Sequence, residues 1–86
     1  GVSGLQADNI PTSYVYPNPA KTQVTVTSSS SIDRIEVTNI LGQKVYENAT
    51  VGANQTTINV ADLQNGAYFV RVYSENCVIT RKLIVK

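Results

Sequence analysis

Eighty-six residues with a formal net charge of +1 make one domain and leave no charge excess for gripping nucleic acid or another polyanion. The chain has no His, which removes nucleophile–His pairs and His-based metal sites, and no apolar run approaches the ~20 residues of a membrane helix. Twelve Val, seven Ile and nine Thr, against four Leu and six Ala, favour pleated, half-buried strands over helices.

Residues 1–13 are mixed and polar without a usable period, and read as a flexible lead-in to a folded unit over 14–86. No basic start and apolar stretch marks residues 1–11 as a secretion signal; for an exported protein that signal is expected upstream, in a longer precursor. A short strand is expected near Tyr14–Tyr16. Pro17 and Pro19 then hold Tyr16 and Asn18 extended, so Tyr16-Pro17-Asn18-Pro19-Ala20 is a rigid corner.

Thr22–Thr27 alternates, with Val24 and Val26 on one face, and predicts a half-buried strand; Ser28–Ser31 reads as a loop. The next strand, Asp33–Asn39, sends Ile35 and Val37 inward and Arg34, Glu36 and Thr38 outward. Leu41-Gly42 is a turn in which Gly42 can take positive φ. Gln43–Glu47 returns as a strand with Val45 inward, completing a hairpin.

Asn48–Asn54 is a polar loop, and Gln55–Val60 a strand with Ile58 and Val60 inward. Asp62–Gly66 turns the chain into Gly66–Ser74, where Tyr68, Val70 and Val72 share one face and Phe69, Arg71 and Tyr73 the other. Aromatics on both faces predict a central strand. Leu63-x-x-Gly66-x-Tyr68 has the form of a tyrosine corner, in which a Tyr hydroxyl ties back to upstream backbone. Glu75-Asn76 is a tight turn into a last strand, Cys77–Val85. There Arg81 shares the parity of Cys77, Ile79, Leu83 and Val85, which calls for a bulge near Thr80–Lys82 or an outward-tilted edge. Six or seven strands with turns every 8–12 residues predict an all-β fold, an immunoglobulin-like antiparallel β-sandwich.

Chemistry is sparse. The six acids are scattered, and Asp33 and Glu36 point to opposite faces of a strand. Asp62 near Asn65 is a turn-stabilising pair before it is a calcium site. Lone Cys77 reads as a small buried hydrophobe rather than a reactive thiol. No catalytic residue, metal site or cofactor is expected, and the chain does not read as an enzyme. Asn48-Ala49-Thr50 and Asn54-Gln55-Thr56 match the glycosylation acceptor pattern, which arises readily by chance in a chain rich in Asn and Thr. Tyr14, Tyr16, Tyr46 and Tyr73 would serve either as packing or as an exposed aromatic strip of a carbohydrate-binding or adhesive module. Arg81, Lys82 and Lys86, with no acid after Glu75, either keep a strand edge soluble or dock an anionic partner.

Four segments occur in a telling order: Tyr16-Pro17-Asn18-Pro19-Ala20, Leu41-Gly42-Gln43-Lys44-Val45, Leu63-Gln64-Asn65-Gly66-Ala67-Tyr68 and Lys82-Leu83-Ile84-Val85-Lys86. In this the chain resembles, over 14–86, the C-terminal sorting domains of the type IX secretion system of Bacteroidetes. The resemblance implies a signal domain, covalently part of a larger cargo protein, with an outer-membrane translocon and a sortase-like peptidase as partners. It implies transit through the periplasm to the outer membrane, the cell surface or the medium. It assigns translocon recognition to Lys82, Leu83, Ile84, Val85 and Lys86. Tyr16, Pro17, Asn18, Pro19, Gly42, Leu63, Gly66 and Tyr68 are fold and motif positions. Strand addition to a partner's sheet edge is a possible recognition mode, and a strand-swapped self-association is a further possibility.

Overall fold

The computed structural model describes residues 12–74 and 77–86. Among these, alternating β-branched and polar residues build seven strands: β1 (Ser13–Tyr16), β2 (Gln23–Ile32), β3 (Arg34–Asn39), β4 (Lys44–Asn48), β5 (Ala53–Asn59), β6 (Gly66–Ser74) and β7 (Cys77–Val85). They form two antiparallel sheets, ordered β1-β2-β5 and β4-β3-β6-β7. This is the expected immunoglobulin-like sandwich. The short turn between Asn39 and Lys44 keeps β4 beside β3, because so brief a connection can only return along the strand it left.

The core lies between the two inner faces. Val24, Val26 and Ile32 of β2 and Ile58 of β5 meet Ile35 and Val37 of β3, Tyr68, Val70 and Val72 of β6, and Leu83 and Val85 of β7. Each fully buried aliphatic side chain contributes about 1.5–3 kcal/mol. The central place of β6, between β3 and β7, agrees with its two aromatic-bearing faces. The chain enters β1 at Ser13, one residue before the expected start. Ser13 is fully buried, and its hydroxyl donates to the Thr27 carbonyl at 2.7 Å. Residues 1–11 of the expected lead-in and the Glu75-Asn76 turn lie outside the described residues.

Two expectations need correction, and two alternatives left open by the sequence are decided. The serine run is not a loop: β2 continues through it to Ile32, with an irregular register between Thr27 and Ile32. Serine is a poor strand former, but here its hydroxyls supply missing partners. Ser29 Oγ accepts the Thr12 N–H at 2.9 Å, and Ser28 Oγ accepts the Ser30 N–H at 3.2 Å. The chain then changes sheets between adjacent residues. Ile32 pairs with Ala53, while the Asp33 N–H already donates to Tyr73 at 2.8 Å.

Val45 does not point inward. The register slips between Val37↔Tyr46 and Thr38↔Lys44, leaving Val45 as the extra residue of a bulge. One inserted residue reverses the parity of a strand. Val45 is therefore exposed, and Tyr46 packs against the core.

Nor is there a bulge in β7. Its pairing with β6 is unbroken from Gly66↔Val85 to Ser74↔Cys77. Arg81 keeps the inward parity, and its guanidinium reaches over the open side of the sandwich, where Nε donates to the Ser13 carbonyl at 2.9 Å.

The tyrosines make no common strip. Tyr14 and Tyr16 lie exposed on the three-stranded sheet, Tyr46 is inside, and Tyr73 lies on the outer face of the four-stranded sheet. A sugar-stacking surface of these four rings is thereby removed.

Candidate functional site

The four sequence motifs meet at one end of the sandwich. Pairing sets Asn39, at the end of β3, opposite Tyr68, and Tyr68 opposite Leu83. Val85 pairs with Gly66 on one side and bridges to Ala20 on the other. The corner, the Leu-Gly turn, the tyrosine-corner turn and the last residues of the chain thus surround the start of β6.

The segment Lys82–Lys86 is built into the fold rather than hanging from it. Leu83 and Val85 are 0% and 2% exposed, Lys82 and Lys86 are exposed, and Ile84 is half-buried. Its inner edge pairs with β6. Its outer edge is occupied by the proline corner: Ala20 N–H donates to the Ile84 carbonyl at 2.8 Å, and Lys86 N–H to the Ala20 carbonyl at 2.9 Å. The Asn18 carboxamide works like one more strand residue. Nδ2 donates to the Lys82 carbonyl at 3.0 Å, and Oδ1 accepts the Ile84 N–H at 2.9 Å. Strand addition along this stretch is therefore corrected, since Lys82, Ile84 and Lys86 already have partners for these edge groups.

The corner itself carries cis bonds at Tyr16-Pro17 and Asn18-Pro19. Tyr16, Pro17, Asn18 and Pro19 are all exposed, while Ala20 is fully buried. The motif presents a polar loop outward and one small anchor inward.

At the third motif, the Tyr68 hydroxyl donates to the Gln64 carbonyl at 2.6 Å, closing the tyrosine corner. Leu63 packs partly buried against the core, and Gly66 opens β6 with a φ of 153°, a backbone shape that side chains rarely adopt. At the second motif, Asn39 organises the turn. Its Oδ1 accepts the N–H groups of Leu41 and Gln43 at 2.9 and 3.0 Å, and Gly42 takes a φ of 84°. Left-handed backbone of this kind favours Gly.

That turn lifts Ile40 and Leu41 into solvent, 71% and 78% exposed. Between them and the Gln64–Tyr68 segment lies a cleft of about 290 Å³. Its lining offers amides, aliphatic carbon and the Tyr68 ring, with no carboxylate or amine. The Tyr68 hydroxyl in that lining is already engaged with the Gln64 carbonyl. Asn39 and Ile40 were not singled out from sequence. The only signal for them was an apolar pair at a turn tip, where polar residues are the norm.

The outer face of the four-stranded sheet carries a charged cluster. Glu36 accepts from the Tyr73 hydroxyl at 3.0 Å and lies 3.7 and 3.6 Å from Arg34 and Lys44. Lys44 also meets Glu47 at 2.9 Å, and the Arg34 guanidinium sits 4.1 Å over the Tyr73 ring. The Tyr73 hydrogen bond, followed by the two cations, holds the Glu36 carboxyl below its ordinary value despite the opposing effect of burial. The Glu47 hydrogen bond chiefly raises Lys44. Arg34 and Lys44 are thereby engaged, whereas Lys82 and Lys86 make no ion pair among the described residues. Also among these residues, no three His, Cys, Asp or Glu side chains gather as metal ligands.

Fold and motif placement together define an immunoglobulin-like module whose last strand is at once core and surface. Residues 14–86 match the family described as the secretion system C-terminal sorting domain, and the chain belongs to that family. It is 34% identical over 76 residues to the ulvan lyase NLR42 of Nonlabens ulvanivorans, covering 83% of this chain and 14% of the lyase. The chain thus spans about a seventh of that relative's length. Its fold is similar to part of PorZ, a bacterial surface component of the type IX secretion system of Porphyromonas gingivalis. The TM-score is 0.71 at 24% identity, over 99% of this chain and 12% of PorZ. Membership of this family carries the reading of a type IX sorting signal and of export toward the outer membrane, the cell surface or the medium.

Proposed function

We propose that this domain is read by the outer-membrane translocon through the motif end of the sandwich, with Lys82, Ile84 and Lys86 as the contacting side chains and Leu83 and Val85 as their anchors. The cargo crosses the inner membrane by an upstream signal, transits the periplasm, and is carried through the translocon by this domain. A sortase-like peptidase then cuts within or near residues 1–13 and releases it. The domain is a ligand and then a substrate of this machinery, not a catalyst. Its 14% share of the ulvan lyase supports a module joined to a larger cargo.

One observation carries the reading: exposed lysines, without an ion pair among the described residues, and buried aliphatic residues alternate on a strand locked on both edges. Locking fixes which side chains a partner meets, and removes the entropy of ordering a loose tail on binding.

The test is export of a reporter fused to this domain in a type IX-competent bacterium. Deleting 82–86 is a poor variant, because losing two buried side chains costs about 2–5 kcal/mol each, comparable with the whole stability of a small domain. The double variant Lys82→Gln, Lys86→Gln leaves the core intact. Reporter retained in the periplasm with a folded domain supports the reading. Undiminished export by this variant moves recognition elsewhere on the sandwich.

A further inference from the structure

A sandwich of two open sheets has four edge strands, and each must deal with a row of unpaired backbone groups. In this domain β7 is covered by Asn18 and Ala20 over its last residues. β1 is only four residues long, and its Ser13 carbonyl receives Arg81. β4 carries Lys44 and Glu47 and a bulge at Val45. Charge, shortness, bulges and covering segments are the usual protections of an edge.

Among the described residues, β5 has none of them. It runs seven residues, Ala53–Asn59, and from Asn48 to Ala61 the chain has neither a charge nor a proline. Its pairing with β2 is regular over Gln55–Asn59. The Val60 N–H donates to Thr22 at 2.9 Å, which sets the alternation: Thr56, Ile58 and Val60 turn their backbone groups toward β2. Gln55, Thr57 and Asn59 turn theirs to the open edge. All three are exposed.

We propose that β5 pairs with β5 of a second copy, antiparallel about a two-fold axis at Thr57. The pairing is isologous, so each side must complement itself. Centred on Thr57, it sets Thr57 against Thr57 and Gln55 against Asn59 of the second copy. Hydroxyl meets hydroxyl and amide meets amide, combinations that hydrogen-bond across strands. No charges face one another in this pairing. The product is one continuous sheet, β1-β2-β5 joined to its symmetry mate, with the motif end of each domain left open. A single strand pair is far smaller than the ~1,600 Å² of a standard stable interface, so the dimer is weak and concentration-dependent.

Sedimentation equilibrium of the 86-residue chain, followed up to about 1 mM, tests this. Thr57→Lys places a charge in the middle of the pairing and faces solvent in the monomer, so circular dichroism should show an unchanged fold. Thr80→Lys on β7 is the control. The expected result is reversible dimerisation, weakened about tenfold or more by Thr57→Lys and unchanged by Thr80→Lys. A chain that stays monomeric throughout overturns the proposal. So does a dimer indifferent to Thr57→Lys, or one weakened equally by Thr80→Lys.

Discussion

Asn18 accepts the Ile84 N–H at 2.9 Å across 66 residues of chain. With its second bond to the Lys82 carbonyl, one carboxamide holds two backbone groups of the last strand. The proline corner and the terminal segment, far apart in sequence, therefore form one structural unit. A substitution in the corner should be felt in the tail.

Asn18→Ala removes both bonds at an exposed edge where water can replace them, so the expected cost is about 1 kcal/mol. Urea denaturation measures it. Amide hydrogen exchange is more specific: the Ile84 N–H should lose protection while Val70 and Val72 keep theirs. Asn18→Asp retains the acceptor but not the donor, and should protect Ile84 to an intermediate degree. Unchanged exchange at Ile84 in the alanine variant would show that the clamp is not formed in solution.

Tyr68→Phe keeps the ring in the core and deletes only the hydroxyl that reaches Gln64 at 2.6 Å. A loss of about 1–2 kcal/mol is expected from a short bond and an orphaned carbonyl. Equilibrium unfolding of the two proteins side by side gives the difference, and equal stability would remove the corner's energetic role.

The bulge at Val45 makes a paired prediction. Val45→Ala should change stability by no more than about 0.5 kcal/mol, because the side chain lies outside the core and is 38% exposed. Val37→Ala, one strand away, should cost about 2–3 kcal/mol for two buried methyls. Similar losses at both sites would restore the unbulged register, with Val45 inside.

Glu36 has a folded-state pKa below its ordinary 4.5. It therefore contributes stability that is fully present above that value and is lost as pH falls through the folded pKa. Lys44, raised above 10.5, contributes stability that is present below that value and fades as pH climbs through its folded pKa. Glu36→Gln should flatten part of the decline in melting temperature as pH falls below 4.5, and leave the alkaline limb largely in place. An identical acid limb in both proteins would place the titrating carboxylate elsewhere.

Much of this molecule is written locally. The alternation of Val24 and Val26, Ile35 and Val37, and Tyr68, Val70 and Val72 determined the strands and their inner faces, because side chains two apart must share a face. Gly42 and Gly66 marked turns for the same kind of reason, a backbone shape that few other residues tolerate. The order of the four motifs sufficed to name the family. What the sequence could not decide was every feature set by pairing across the fold. A bulge moved Val45 out and Tyr46 in, and serine hydroxyls held a stretch of poor strand formers in β2. Arg81 kept a regular register by finding Ser13 on the other sheet. Asn18 became the edge partner of the tail. Arg81, Asn18 and Ser29 each depend on a hydrogen-bond partner remote along the chain. Only the tertiary structure brings such partners within 3 Å, and only then does the unpaired backbone choose between them.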